Sequence, residues 1–352
     1  MTARSLRRRL EQRFARGIVG LPADVRRWLS GPRVELDGQL LDPDVALILR
    51  LSALANNRAI HHEPPERARR LYARLPSTFD APAPSLGVVR DFELPGPASR
   101  IRARLYAPKS DAPLPIVVYL HGGGFVIGDL DTHDVPCRLL AELSQSAVVS
   151  VDYRLAPEAC FPAAVEDSLA AFSWVSEHAA ELGGDPARLA IAGDSAGGAL
   201  ATVVSALCRD SARRMPDFQL LFYPTTDAAG TTRSHALFGR GFMLESETRA
   251  WFHGHYVAGA DPADPRISPL RGKLGGLPPA YVQLAGFDIL RDEGRAYAER
   301  LREAGVEVTI SVRESLIHGY LHLTGGVPEA KQALEDAARA LKRALCPAPA
   351  SS

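Results

Sequence analysis

A serine between glycines lies in the most informative segment of the chain, residues 193–197 (GDSAG). A short, mostly apolar run (188–192) precedes it, and small residues typical of a helix follow (198–204). A strand, a Gly-x-Ser-x-Gly turn and a helix form a nucleophile elbow, in which glycines permit a strained turn and the serine hydroxyl faces the substrate. We therefore interpret Ser195 as a nucleophile, although the short pattern also fits a glycine-rich turn with a capping serine.

A serine hydroxyl becomes a good nucleophile only when an oriented base takes its proton. On an elbow of this kind the expected chain order is Ser, then Asp or Glu, then His. Asp288 and His318 follow in that order, each just past a predicted strand, and we predict them as acid and base. Asp292 and Glu293 are alternative acids that fit better as the acidic first turn of the next helix. His322 is the alternative base, and a purely structural role is the alternative for His318.

Glycines after an earlier strand could stabilise the negative charge that develops on the attacked oxygen. The loop at 121–124 (HGGG) lets backbone amides approach a ligand closely, and such a run at this place is expected in lipases and esterases. We predict the N–H groups of Gly123, Gly124 and Ala196 as oxyanion donors, with His121 bracing the loop. A flexible turn and a phosphate cradle are the alternatives, but the Lys-Ser/Thr that a phosphate loop requires is missing.

Short apolar strands that alternate with helices are predicted to position these residues. This alternation indicates a mainly parallel sheet covered by helices on both faces, which is an α/β fold. An antiparallel pair is predicted over 87–92 and 101–106. Further strands are predicted over 115–120, 147–153, 189–192, 218–223, 280–285 and 306–312, and helices over 134–143, 163–180, 292–304 and 329–345.

Two segments interrupt this alternation of strands and helices. Residues 1–80 are interpreted as N-terminal cap helices, including helices over 40–55 and 65–75, and residues 225–266 as a cap insertion. The catalytic domain then comprises 81–224 and 267–352. Ligands of such sheets bind beyond the carboxyl ends of the strands, so we expect both segments to cover the site. A surface excursion with a small core of its own is the alternative for the insertion.

The composition excludes several classes of protein. The 352 residues are 46% hydrophobic and 23% charged with a formal net charge of +0, so we expect no nucleic-acid partner. The four cysteines show no framework spacing and the ten histidines no zinc-site spacing, which indicates a reduced compartment and no metal ion. We find neither a signal peptide nor a transmembrane segment and expect a cytoplasmic protein. The basic residues near the N-terminus, with Leu6, Leu10 and Phe14, form an amphipathic pattern whose alternatives are membrane-surface attachment and domain packing.

The motifs together resemble the hormone-sensitive-lipase-like branch of the α/β hydrolases, and in particular its bacterial-type carboxylesterases. The similarity extends from about residue 40 to the C-terminus. Its markers are 121–124 (HGGG), 153–158 (YRLAPE), 161–164 (FPAA), 193–198 (GDSAGG) and 288–294 (DILRDEG).

The resemblance implies an α/β-hydrolase fold with a helical cap, carboxylester hydrolysis and no cofactor. Ser195 matches the nucleophile of the family, Asp288 its acid and His318 its base. Two departures stand out. Ile289 replaces the proline that usually follows the acid, and residues 159–160 (AC) replace the His-Pro that often precedes the Phe-Pro pair.

We therefore predict a serine carboxylesterase that hydrolyses short- to medium-chain esters through an acyl-enzyme. Its expected partner is a small-molecule ester, and a homodimer is an assembly that the sequence allows. An amidase or deacetylase with the same triad is the nearest alternative. A small-molecule receptor related to plant hormone receptors is disfavoured because His318, which those receptors lack, is present. An oligomeric scaffold with a vestigial pocket is disfavoured for the same reason.

Overall fold

A computed structural model describes residues 17–346 of the chain, apart from residue 19, residues 55–58 and residue 75. The basic amphipathic pattern that ends at Phe14 lies outside the described residues. The strands are β1 (Glu35–Leu36), β2 (Gln39–Leu40), β3 (Val88–Pro95), β4 (Arg100–Ala107), β5 (Leu114–Leu120), β6 (Ala147–Asp152), β7 (Gly184–Asp194), β8 (Phe218–Phe222), β9 (Ala280–Phe287) and β10 (Val308–Ile317).

The described helices lie before, between and after these strands. They are α1 (Ala23–Leu29), α2 (Pro43–Leu54), α3 (Pro65–Tyr72), α4 (Pro76–Phe79), α5 (Asp134–Ser144), α6 (Ala163–Glu177), α7 (Ala196–Asp210), α8 (Arg233–Phe238), α9 (Ser246–Tyr256), α10 (Arg291–Glu303) and α11 (Pro328–Leu345). Short 3₁₀ turns occupy Ile60–His62, Ala179–Leu182, Pro269–Arg271 and Tyr320–Leu323.

Eight strands form one twisted sheet in the order β10-β9-β8-β7-β5-β6-β4-β3, and β1 and β2 form a separate antiparallel pair. Strand β4 runs antiparallel to both β3 and β6. The other six strands, β5 to β10, are parallel to one another. This architecture confirms the predicted α/β fold with its mainly parallel sheet and its antiparallel pair at one edge.

The centre of the sheet is buried on both faces. Every residue of β9 is buried, and so is every residue of β8. Helices on both sides remove these strands from water, which explains why they appear in the sequence as continuous apolar runs. Two of the four cysteines, Cys137 in α5 and Cys208 in α7, are buried free thiols that pack in this core as small hydrophobes.

Helix ends are set by local chemistry. The Oδ1 atom of Asp42 accepts hydrogen bonds from the N–H groups of Asp44 and Val45, so α2 begins at the Asp42-Pro43 pair rather than at residue 40. The helix predicted over 163–180 stops earlier, at Glu177, and a 3₁₀ turn ends at Gly183, whose φ of 75° suits glycine.

The last strand extends further than predicted. Strand β10 runs to Ile317, whereas the apolar pattern ends at residue 312, because its second half contains charged residues and has an irregular register between Arg313 and Ile317. As a result His318 directly follows the strand. Among the residues that the structure describes, no helix combines the length and apolarity needed to cross a membrane.

Candidate active site

Ser195 lies in the tight turn between β7 and α7. Its φ of 53° and ψ of −117° are unfavourable for a residue with a side chain. The turn is held by its backbone, because the Ser195 N–H donates to the Phe222 carbonyl (2.9 Å) and the Thr225 N–H donates to the Ser195 carbonyl (3.1 Å). A Cβ atom at Gly197 would overlap the Leu120 carbonyl, so glycine is required where α7 passes the end of β5.

The structure brings Ser195, His318 and Asp288 together at one edge of the sheet. His318 Nε2 lies 2.9 Å from Ser195 Oγ, and His318 Nδ1 lies 2.7 Å from Asp288 Oδ2. All three are buried, with 8%, 9% and 1% of their surface exposed. They meet because β7, β9 and β10 are parallel, so their carboxyl ends lie at the same edge.

Neighbouring residues hold the acid and the histidine in orientation. The second Asp288 oxygen, Oδ1, accepts the Leu290 N–H at 2.9 Å in a tight turn that contains Ile289 rather than proline. The Tyr223 ring packs against His318 with centroids 4.7 Å apart, a contact that the sequence analysis missed. Gly319, with a φ of 74°, turns the chain away directly after the histidine.

The alternative acids and the alternative base have other partners. Asp292 accepts the Ser234 N–H at 2.8 Å, and both acids lie in the first turn of α10, as predicted. Glu293 accepts the N–H groups of Thr226 and Asp227, and burial raises its pKa to about 7. His322 Nε2 lies 3.1 Å from the Tyr72 hydroxyl, in a 3₁₀ turn behind the site.

The glycine loop adopts a backbone conformation that presents N–H groups. Gly123 and Gly124 have φ values of 117° and 59°, and Phe125 also has a positive φ of 63°. The Gly123 carbonyl accepts the N–H groups of the residues three and four positions later, which folds the loop into a compact turn. Within the described part of the chain, the N–H groups of Gly123, Gly124 and Ala196 donate no hydrogen bond, so they can bind a ligand oxygen.

Asp194, beside Ser195, fixes the start of this loop. Its Oδ1 accepts hydrogen bonds from the Tyr119 hydroxyl and the Gly122 N–H, both at 2.8 Å, and His133 Nε2 lies 3.4 Å away. Burial alone would raise the pKa of Asp194, but the neighbouring His133 and His322 and the Tyr119 hydrogen bond lower it below its ordinary value. In the sequence, the only signal for this role of Asp194 is its acidic type within the GDSAG motif.

The contacts of His121 fit its predicted role as a brace for the loop. Its ring stacks on that of Tyr153 with centroids 4.2 Å apart, the Tyr153 hydroxyl donates to the His121 carbonyl (2.6 Å), and Nδ1 lies 2.8 Å from the Gly122 carbonyl. Burial lowers the pKa of His121 to about 4, so the ring is neutral near pH 7 and supports the loop as an uncharged platform.

The far side of the loop contacts both segments predicted to form the cap. From α3, Arg69 donates to the carbonyls of Val126 (2.7 Å) and Ala156 (2.8 Å). From α9, the Phe252 ring lies over Gly124 so closely that a Cβ atom there would overlap it. No motif or spacing in the sequence predicts these contacts. The division into cap and catalytic domain itself remains a prediction.

The second departure from the family pattern lies under α9. The Cys160 thiol is 3.4 Å from the carbonyls of Pro157 and His255, and the Phe161 N–H donates to the Tyr256 carbonyl at 2.9 Å. The segment around residue 160 therefore packs against the cap insertion without the usual His-Pro pair.

Comparison with known proteins places this geometry in context. The chain is 46% identical to the carboxylic ester hydrolase LipN of Mycobacterium tuberculosis, over 86% of this chain and 83% of LipN. It is 36% identical to an ethyl acetate hydrolase of Pseudomonas putida, over 87% of this chain and 99% of that protein. A solved ester hydrolase from the metagenome of Lake Arreo superposes with a TM-score of 0.83 at 42% identity, covering 86% of this chain and 98% of its own.

These similarities confirm the predicted enzyme class, carboxylic ester hydrolase. A family model described as the α/β hydrolase fold matches residues 117–322, which is more than half of the chain and includes Ser195, Asp288 and His318. The chain therefore belongs to the α/β-hydrolase family, in its hormone-sensitive-lipase-like branch.

Proposed function

We propose that the chain is a serine carboxylesterase in which Ser195 is the nucleophile, His318 the general base and acid, and Asp288 the residue that orients His318. One observation carries the proposal: the His318 ring contacts Ser195 Oγ through one nitrogen and the Asp288 carboxylate through the other. This is the arrangement that a serine needs in order to lose its proton to an oriented base.

In the first half-reaction Ser195 Oγ attacks the ester carbonyl carbon while His318 Nε2 takes the hydroxyl proton. The carbonyl oxygen becomes negatively charged and is stabilised by the N–H groups of Gly123, Gly124 and Ala196. Asp288 stabilises the imidazolium without taking its proton. The carbon–oxygen bond to the alcohol then breaks, and His318 Nε2 gives the proton to the leaving oxygen.

In the second half-reaction water replaces the alcohol. His318 takes a proton from the water, whose oxygen attacks the acyl carbon, and the same three N–H groups stabilise the second tetrahedral intermediate. The bond to Ser195 Oγ then breaks, and the serine recovers its proton from His318 as the carboxylic acid leaves. Because both half-reactions require Ser195 and His318, removing either residue should abolish the whole cycle.

We infer short- to medium-chain acyl groups as substrates. The insertion that covers the site is charged, unlike a large apolar lid, and its charged residues include Arg233, Arg240, Glu245, Glu247 and Arg249. The Phe252 ring on Gly124 and the Tyr256 ring, stacked 3.8 Å from Phe125, add bulk beside the proposed oxyanion site. The relative from Pseudomonas putida is named for the hydrolysis of a short ester.

Hydrolysis of a p-nitrophenyl ester series from acetate to palmitate tests the proposal. We expect activity to peak at short acyl chains and to fall about 10⁶-fold in kcat in both Ser195→Ala and His318→Ala. His178→Ala, at a histidine that bonds the Trp174 carbonyl on α6, is the matched control and should retain activity. Activity that survives either active-site substitution would contradict the mechanism.

The amidase alternative is tested with matched anilide and ester substrates that share one acyl group. An esterase should prefer the ester by several orders of magnitude, because His318 need only protonate an alcohol leaving group. Comparable rates on both substrates would favour the amidase instead.

A further inference from the structure

We propose that His61, His62 and Glu247 form a binding site for a divalent transition-metal ion, with Zn²⁺ as the best fit. One ligand atom from each side chain lies within 4.8 Å of the others. Zinc in proteins takes imidazole nitrogens and carboxylate oxygens at about 2.0–2.2 Å, so two of its tetrahedral ligands stand roughly 3.4 Å apart. The separation of 3.1 Å between His61 Nε2 and Glu247 Oε2 is already close to that value.

His61 has the surroundings of a metal ligand. Its side chain is only 7% exposed, and its buried Nε2 makes no hydrogen bond although it faces Glu247. Its other nitrogen, Nδ1, lies 2.8 Å from the Thr248 hydroxyl. A partner of this kind commonly orients a metal-bound histidine by accepting its second N–H. With the proton on Nδ1, the Nε2 lone pair faces a carboxylate oxygen, and a cation between the two acceptors removes their repulsion.

The other two ligands are accessible and adjustable. The His62 ring lies 4.2 Å from that of His61 and is exposed, and the Glu247 side chain is 62% exposed. The one competing cation near Glu247 in the described structure is Arg240, at 3.7 Å, whose side chain is 89% exposed. An ion pair so open to water is weak, so displacement of Arg240 by a metal ion costs little. Three protein ligands and an open position facing solvent suit zinc.

The site joins two segments that are distant in the sequence. His61 and His62 belong to the 3₁₀ turn before α3, whereas Glu247 lies in the first turn of α9. Arg69 of α3 bonds Val126 in the glycine loop, and Phe252 of α9 covers Gly124. A metal ion here would link the two segments predicted to form the cap, with no part in the proposed acyl transfer.

The test uses the full chain without a histidine tag, first treated with a chelator. Thermal unfolding is recorded with ZnCl₂ and with MgCl₂, and visible absorption during CoCl₂ titration counts bound ions. We expect one ion per chain and a rise in Tm of roughly 5 °C when free Zn²⁺ is about 100 times Kd. Mg²⁺, which prefers oxygen ligands, should leave Tm unchanged.

His62→Ala and Glu247→Gln change exposed side chains and should leave the fold intact. Loss of a residue that only orients a metal ligand already weakens binding about 10–100-fold, so loss of a ligand itself should weaken it by about 100-fold or more. Glu142→Gln, on the exposed face of α5, and His178→Ala are matched controls and should bind as wild type does. No saturable binding by folded wild type, or binding unchanged in both ligand variants, would overturn the proposal.

The exposed Cys346 thiol could bind zinc instead of the proposed site, and Cys346→Ser tests this alternative. Binding lost in Cys346→Ser but retained in His62→Ala would also overturn the site. Since none of these measurements requires ester hydrolysis, their result is independent of the proposed function.

Discussion

The two sides of Ser195 are held by different parts of the molecule. On the side of the base, His318 and Asp288 directly follow β10 and β9, and their geometry is fixed by neighbouring strand ends of the parallel sheet. On the other side lies the glycine loop. Asp194, in the core, holds the first glycine of this loop, whereas Arg69 and Phe252, from the two segments predicted to form the cap, contact its later residues.

This difference indicates that two parts of the molecule support two separate functions in the proposed mechanism. Proton transfer depends on residues that directly follow β9 and β10, and the last two residues of each strand are buried and cannot shift without disrupting the core. Stabilisation of the oxyanion depends on a loop whose outer contacts come from segments outside the sheet. The effect of substitutions at His318 or Asp288 should therefore not depend on which residues the predicted cap contains. The effect of substitutions in the glycine loop should change when the cap residues that contact the loop are changed.

The largest expected effect is on the side of the base. In Asp288→Asn the amide oxygen can still accept the Leu290 N–H, but the side chain no longer fixes the His318 tautomer. We expect kcat for p-nitrophenyl acetate to fall about 10⁴-fold with little change in Tm. A loss of less than tenfold would show that Asp288 does not orient the base.

Gly124→Ala should have the next largest effect, because the new Cβ overlaps the Phe252 ring and the residue must hold a positive φ. Displacement of one oxyanion donor predicts a loss of roughly 10²–10³-fold in kcat. Phe252→Ala in the same chain should recover part of that loss by relieving the overlap. If the double variant is no more active than Gly124→Ala, contact with the cap does not control the loop.

A smaller effect is expected at Asp194. In Asp194→Asn the loop keeps its shape but loses the charge that strengthens the hydrogen bonds from Tyr119 and Gly122. Of these two bonds only the one from Gly122 belongs to the loop, and weakening one buried bond predicts a loss of about tenfold in kcat. Because the pKa of Asp194 is lowered, its carboxylate is charged throughout the range from pH 5 to 9, so the ratio of wild-type to variant kcat should be constant there.

Tyr119→Phe is the matched control for Asp194→Asn. It removes one donor and keeps the carboxylate, so its loss of activity should be the smaller of the two. Equal losses would indicate that the hydroxyl, rather than the charge, holds the loop.

The smallest effect concerns the pH dependence of stability. Glu293 binds Thr226 and Asp227 at the end of β8, and Arg249 of α9 donates to the Asp227 carbonyl at 2.8 Å. The pKa of Glu293 rises from 4.5 to about 7 in the folded chain, so the folded state holds this proton more tightly than the unfolded state. Stability from this group is present below about pH 4.5 and is lost as pH rises through about 7.

Thermal unfolding of wild type and Glu293→Gln between pH 4.5 and 8 measures this effect. The difference in Tm should move in favour of the variant by roughly 2–4 °C as pH rises. Glu299→Gln, at an exposed position of α10, should show no such trend. A parallel pH dependence of wild type and Glu293→Gln would contradict the raised pKa.

The correct predictions rest on patterns of residues that are close together in the sequence. Ser195, Asp288 and His318 each follow their own apolar strand, and parallel strands end at one edge, so their proximity follows from the fold class. Helix α2 begins at its Asp-Pro signal for a similarly local reason. The predicted end of β10 was wrong because the polar residues 313–315 interrupt the apolar pattern before Leu316 and Ile317, where the strand pairs with β9 again.

Contacts across the chain explain the rest. Neither the hydrogen bond from Arg69 to Val126 nor the Phe252 ring over Gly124 has a spacing that a sequence pattern can reveal. The cluster of His61, His62 and Glu247 was missed for the same reason, since zinc-site spacing is recognisable only when ligands lie near one another in the sequence.

The hydrogen bond between Tyr72 and His322 also concerns the order in which the chain is made. At ribosomal rates of 5–20 residues per second, roughly 10–50 s separate the synthesis of these two residues. During that interval α3 cannot make its contact with the 3₁₀ turn behind the site. A nascent chain would therefore complete this part of the enzyme only after β10 has emerged, and ester hydrolysis would not begin before that point.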